Sequence, residues 1–149
     1  MELIEITPEG APESIREKLP EIARSVISAT ADVYRRGGYA PPWVGYLGVE
    51  EGVCAGTCGF KSAPVKGRVE IAYFTFPGNE GRGVATRMAE ALIEIASQEA
   101  PRIRVCAQTL PERNASTRIL EKLGFRRTGE LQHPEDGLVW EWEWTGTTP

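Results

Sequence analysis

FTFPGNEGRGVATRMAEAL, residues 74–92, changes character twice. Phe74, Thr75 and Phe76 end a run of apolar and aromatic residues that reads as a strand from Arg68, and Pro77 stops it. Gly78, Gly81 and Gly83 then fall within six residues. From Val84 the apolar positions take a helical period: Val84, Ala85, Met88, Ala89, Leu92, Ile95 and Ala96. A helix N-terminus offers N–H groups without intrahelical partners and about half a positive charge. Glycines ahead of it let an anion come close, so Gly78–Thr86 is a candidate phosphate cradle. Arg82 adds a cation there, and Glu80 adds an acid where an anion would dock. The alternative is a tight strand-to-helix turn with no ligand.

The flanking sequence surrounds this unit with a mixed fold. Met1–Thr7 alternates and reads as a strand; residues 11–36 read as helical, restarted or kinked at Pro20. Trp43–Val49, Val53–Phe60 and Arg68–Phe76 read as three strands of an antiparallel meander, the first pair joined by a tight turn at Glu50–Gly52. Pro101 stops the helix after the glycine loop, and Arg102–Gln108 follows as a strand. A helix over about Asn114–Leu123 has Gly124 at its C-cap position, and Phe125–Leu131 and Leu138–Trp144 close the chain as a hairpin. The expected class is α+β, or mixed α/β. Its sheet of about seven strands turns from antiparallel to parallel near Phe76, with one central βαβ unit and helices on both faces.

Composition narrows the function. The 149 residues suit one domain, 1–149, with a hydrophobic core. A net charge of -4 with interleaved signs argues against a nucleic-acid partner. There is no long apolar span and no signal-peptide layout, so no membrane association is expected. Cys54, Cys58 and Cys106 lack framework spacing, which suits reduced thiols in the cytoplasm. Cys54 and Cys58 would lie roughly 13 Å apart along a strand, too far for a disulfide. With His133 the only histidine, no metal is expected. A P-loop needs Gly-Lys-Ser/Thr, whereas this loop ends Gly83-Val84-Ala85-Thr86. A dinucleotide fingerprint opens a fold of repeated βαβ units, whereas this loop follows a meander.

Two segments together resemble the GCN5-related N-acetyltransferases (GNAT). Glu80-Gly81-Arg82-Gly83-Val84-Ala85 is similar to that family's Gln/Arg-x-x-Gly-x-Gly/Ala loop, with Glu80 departing from Gln or Arg. Asn114 to Leu123-Gly124-Phe125 is similar to its second segment, and the wording around both resembles the branch named for ribosomal-protein N-terminal acetyltransferases. The resemblance implies an enzyme that moves an acetyl group from acetyl-CoA directly to a primary amine, with no metal. The pantetheine arm would run along Phe74, Thr75 and Phe76. The pyrophosphate would take the backbone N–H groups of Gly81, Arg82, Gly83, Val84 and Ala85, with Thr86 adding a hydroxyl. Asn114 would contact the cofactor's arm, cap its helix, or do both. The acceptor would be a small-molecule or peptide amine, and a homodimer is a family expectation. A non-catalytic acyl-CoA-binding module and a transferase for a longer acyl chain remain alternatives.

Acetyl transfer needs a base for the ammonium and, in many enzymes, an acid for the thiolate. The family's tyrosine, three residues before Leu123, is here Leu120. Ser116, one turn earlier, is the first candidate acid and Tyr73 the second; Ser116 also reads as an ordinary first-turn serine. Glu70 interrupts an apolar strand and is the candidate base, or else marks a solvated face. Glu141 and Glu143 alternate with Trp140, Trp142 and Trp144, giving a packed tryptophan face and an acidic one. The acidic face is either a wall for a cationic acceptor or simply solvated.

Overall fold

The computed structural model describes residues 1–146. In chain order the elements are β1 (Glu2–Glu5), α1 (Glu13–Arg16), α2 (Glu21–Gly37), β2 (Gly45–Glu50), β3 (Val53–Phe60), β4 (Arg68–Thr75), α3 (Val84–Glu99), β5 (Arg104–Thr109), α4 (Ala115–Leu123), β6 (Phe125–His133) and β7 (Gly137–Trp144). They build one seven-stranded sheet in the order β1-β2-β3-β4-β5-β7-β6. Neighbours are antiparallel except β4 and β5, which α3 joins as a parallel crossover. The expected mixed sheet with a central βαβ unit is therefore present. α1 ends at Arg16 and Pro20 stands at the N-cap of α2, so the helical segment expected over 11–36 is restarted at Pro20 as two helices. Among the described residues no helix is long and apolar enough to cross a membrane.

Strand alternation sends side chains to two cores. On one face Val69, Ile71, Val105, Ala107 and Trp142 pack with Met88, Leu92 and Ala96 of α3 and Leu120 and Leu123 of α4. On the other, Ile6, Leu47 and Phe76 pack with Leu19 and Ala23 from the α1–α2 segment. Trp140 and Trp144 join Trp142 on the α3/α4 face, as the alternation predicts.

Glycine pairing fixes how closely α3 approaches the sheet. Gly48 and Gly56 are cross-strand partners on β2 and β3. A Cβ on Gly48 would lie 2.8 Å from the Met88 sulfur, and one on Gly56 would lie 2.8 Å from Met88 Cε and 2.7 Å from the Phe74 carbonyl oxygen. Met88, fully buried, fills the space that these two residues leave.

Candidate active site

The parallel ladder is short. β4 and β5 pair at Arg68–Arg104, Val69–Val105 and Glu70–Cys106, and there the pairing stops. β4 continues to Thr75 along β3, and β5 continues to Thr109 along β7. Beyond Glu70 and Cys106 the two strands no longer pair, which leaves the backbone edge of residues 71–75 on the β5 side without a ladder partner, a gap in the sheet. Such groups require partners. An extended amide-bearing chain laid in the gap would supply them.

The gap opens into a groove of about 400 Å³. Its walls are Tyr73, Phe74 and Thr75 of β4, the loop at Asn79–Gly81 and Gly83, the first turn of α3, and Ala115, Ser116, Arg118 and Ile119 of α4. Gly81 and Gly83 have φ of +76° and +77°, the left-handed region that favours glycine. Gly83 is the N-cap of α3 and no side chain caps that helix. Its first N–H groups therefore face the groove as donors. α4 is closed differently. The Thr117 N–H donates to Asn114 Oδ1 at 3.1 Å, and the Asn114 N–H donates to Thr117 Oγ1 at 2.9 Å, a reciprocal capping box.

Eight of the expected site residues line the groove: Phe74, Thr75, Gly81, Gly83, Val84, Ala85, Thr86 and Ser116. Four do not. Phe76 is buried in the core beneath α1 and α2; its N–H donates to the Ala55 carbonyl and its carbonyl accepts from the Asn79 N–H. Arg82 turns to the far side of the loop and lines a separate groove with Lys18 and Glu50. Asn114 spends its carboxamide oxygen on the helix cap. Glu70 stands at the vertex of the gap, with its carboxylate 2.5 Å from the Lys61 ammonium. Ala115, Arg118 and Ile119 escaped the sequence reading. Their signal is the inward stripe Thr117, Leu120, Leu123, which leaves the rest of α4's first turn free to face the groove. Leu120, where the family's tyrosine is counted, is 0% exposed and belongs to the core.

Glu80 has a definite partner. Its Oε1 accepts the Gly78 N–H at 2.5 Å, so the acid folds back onto its own loop. The Tyr73 hydroxyl donates to the Ser116 carbonyl at 3.3 Å. Burial pushes the Tyr73 phenol well above its ordinary value, which keeps it protonated at neutral pH. Burial also raises the Cys106 thiol, whose Sγ donates to the Val69 carbonyl. That holds Cys106 as a thiol, the weaker nucleophile.

One ion pair braces the loop from outside. Arg87 of α3 donates to both carboxylate oxygens of Glu50 on β2, through Nε to Oε2 and through Nη2 to Oε1 at 2.8 Å. The same Nη2 donates to the Arg82 carbonyl at 2.7 Å. Arg87 therefore ties the loop backbone to the β2–β3 corner. Its guanidinium holds the Glu50 carboxyl below its ordinary range. Folding stability from that pair is present above the unfolded carboxyl's value of about 4.3 and is lost as pH falls below it through the lowered folded value. Glu50→Gln should lower stability by roughly 0.5–1 kcal/mol at pH 7, the discounted value of a partly exposed pair. The gap in melting temperature between the variant and the wild type should narrow as pH falls below about 4.3. Thermal melts from pH 7 into acid measure this, and a difference that does not narrow with acid would contradict it.

Comparison with known proteins places these features. Residues 5–126 match the family described as acetyltransferase (GNAT) domain. The chain is 32% identical over 81 residues to an uncharacterized N-acetyltransferase p20 of Bacillus licheniformis, a match covering 54% of this chain and 46% of that protein. The chain thus spans less than half the length of that curated relative. Among solved structures it is similar to a putative GNAT-family acetyltransferase from Bordetella pertussis, with a TM-score of 0.62, 22% identity, and 89% and 82% of the two chains covered. It is also similar to RimL, a ribosomal L7/L12 alpha-N-protein acetyltransferase, with a TM-score of 0.64, 19% identity, and coverage of 83% and 69%. For aminoglycoside acetyltransferase AAC(6')-Ib in complex with coenzyme A, the TM-score is 0.59 at 22% identity, covering 68% and 65%. At these identities the structural likenesses show the fold.

Proposed function

The chain belongs to the GNAT acetyltransferase family, and on that premise we propose that it transfers the acetyl group of acetyl-CoA to a primary amine by direct attack in a ternary complex. The observation that carries the proposal is the gap beyond Glu70–Cys106, which leads into a groove ending at the side-chain-free N-terminus of α3. Residues 1–149 are taken as one acyl-CoA N-acyltransferase domain working in the reducing cytoplasm, with a small-molecule or peptide amine as its partner. No metal enters the reaction.

The residues present fit the co-substrate. An open ladder edge suits the amides of a pantetheine arm, and uncapped N–H groups suit a pyrophosphate. Acetyl-CoA supplies an activated acyl group as a thioester. The backbones of Phe74 and Thr75 would align the arm in the gap. The N–H groups of Gly81, Gly83, Val84 and Ala85 would hold the pyrophosphate, with the Thr86 hydroxyl beside them. Glu70, at the vertex, would take a proton from the acceptor ammonium, directly or through one water. Ser116, with the protonated Tyr73 phenol beside it, would offer a proton to the departing sulfur. A Cys106 acyl-enzyme is disfavoured because burial holds that thiol protonated.

Calorimetry with acetyl-CoA tests the site, and binding in the micromolar range is expected. No heat at millimolar ligand would overturn the proposal. Thiol release with an amine panel then tests the chemistry. Binding without any release would make the chain a non-catalytic acyl-CoA-binding module. Faster release from propionyl- or succinyl-CoA would move the acyl preference to a longer chain.

A further inference from the structure

The face of β4 opposite the cofactor groove carries a second groove, of about 500 Å³. α2 forms one wall with Val26, Thr30 and Val33, spaced i, i+4 and i+7 along one helix face. β3 and β4 form the floor, including Thr57, Ala72 and Phe74. Tyr73 and Phe74 line both grooves, so only the thickness of one strand separates them. Val33 is 50% exposed and Phe74 51%, an uncommon display for large apolar side chains flanking one groove.

Two of the hydroxyls along this groove are already committed. The Tyr34 hydroxyl donates to the Ile6 carbonyl at 2.7 Å and accepts the Gly45 N–H at 2.9 Å. Thr57 Oγ1 donates to the Tyr46 carbonyl at 2.9 Å. Both residues therefore offer mainly carbon to a ligand. Among the described residues, Lys61 is the one charged residue lining the groove, and its ammonium sits 2.5 Å from Glu70. Beyond Glu70 the same sheet face becomes polar. Glu70, Cys106 and Glu143 are neighbours in register across β4, β5 and β7, and Gln108 pairs with Glu141 in the next row. The face thus runs from carbon at α2 to carboxylate at the vertex of the gap.

We infer that the acceptor is an amphipathic monoamine: one ammonium directed at Glu70 and an aromatic or branched aliphatic body lying between α2 and β4. This rests on the transferase reading and specifies its substrate class. A polycation such as a polyamine or an aminoglycoside is disfavoured, because further charges lying in the groove between α2 and β4 would meet apolar walls where, among the described residues, the one charged group is the Lys61 cation. A groove of this volume suits a small molecule rather than a folded partner.

The test uses the purified full chain with saturating acetyl-CoA, followed by thiol release. Probes are 2-phenylethylamine and isopentylamine against spermidine and kanamycin. The monoamines are expected to show a kcat/KM at least about tenfold above either polycation. Val33→Glu, at an exposed helix position, should raise KM for 2-phenylethylamine about tenfold and leave KM for acetyl-CoA unchanged. Polycations turned over as well as or better than the monoamines would overturn the inference and leave the transferase standing. An unchanged amine KM in Val33→Glu, with an unchanged melting temperature, would also overturn it. Release with a peptide amine but with none of the four probes would overturn the inference and leave the transferase standing.

Discussion

Gly83→Glu should abolish acetyl-CoA binding, with affinity falling by at least about 100-fold, or roughly 2.7 kcal/mol. Two observations set that size. Gly83 has φ of +77°, where any L side chain is strained, and a Cβ there would lie 2.7 Å from Arg87 Nη1. The strain costs about 1–2 kcal/mol and disturbs the guanidinium that holds the Arg82 carbonyl. The larger effect is electrostatic. A carboxylate at the start of α3 is attracted by the same uncapped N–H groups that would receive the pyrophosphate. The substitution therefore supplies the cradle with a tethered anion. Calorimetry with CoA reads the loss, and a melting curve shows that the chain still folds. Wild-type affinity in a folded variant would place the cradle elsewhere.

Glu70→Gln should lower kcat at pH 7 by about 10²-fold, within the usual range for a general base. The deficit should shrink as pH approaches the acceptor's own value of about 10, where free amine no longer needs a base. Loss of the Lys61 partner alone would cost under about 1 kcal/mol of stability and no rate, since Lys61 is half exposed. The two roles separate in a pH–rate profile. A deficit that stays equal from pH 7 to pH 10 would leave Glu70 as a structural partner of Lys61.

The strand–loop–helix unit at 68–99 was legible because its signals are local: a stop at Pro77, glycines at the turn, and a helical period from Val84. The same holds for the α4 cap, where Asn114 and Thr117 answer each other within one turn. The misplacements arise where side-chain direction depends on what packs from outside the segment. Phe76 continues the strand's outward series from Phe74, yet the α1–α2 segment covers it and not its neighbour. Arg82 sits in the right loop, but Arg87 and Glu50 anchor its carbonyl and its side chain leaves on the other side. Glu80 sits where the family has Gln or Arg, and only the folded loop shows its carboxylate engaged with the Gly78 N–H. The second groove was not legible at all. Its walls come from segments 26–34 and 57–74, and no local pattern brings them together.

The seating of Met88 against Gly48 and Gly56 has a consequence for descent. Alanine at 48 requires a shorter residue at 88, alanine at 56 would in addition meet the Phe74 carbonyl, and a bulkier residue at 88 has no room while both glycines stand. These three positions, separated by up to forty residues of chain, are inherited as a single character. Sequences drifting from this one should keep Gly56 and either keep Gly48 with Met88 or exchange those two together, because each intermediate step passes through a strained or hollow core.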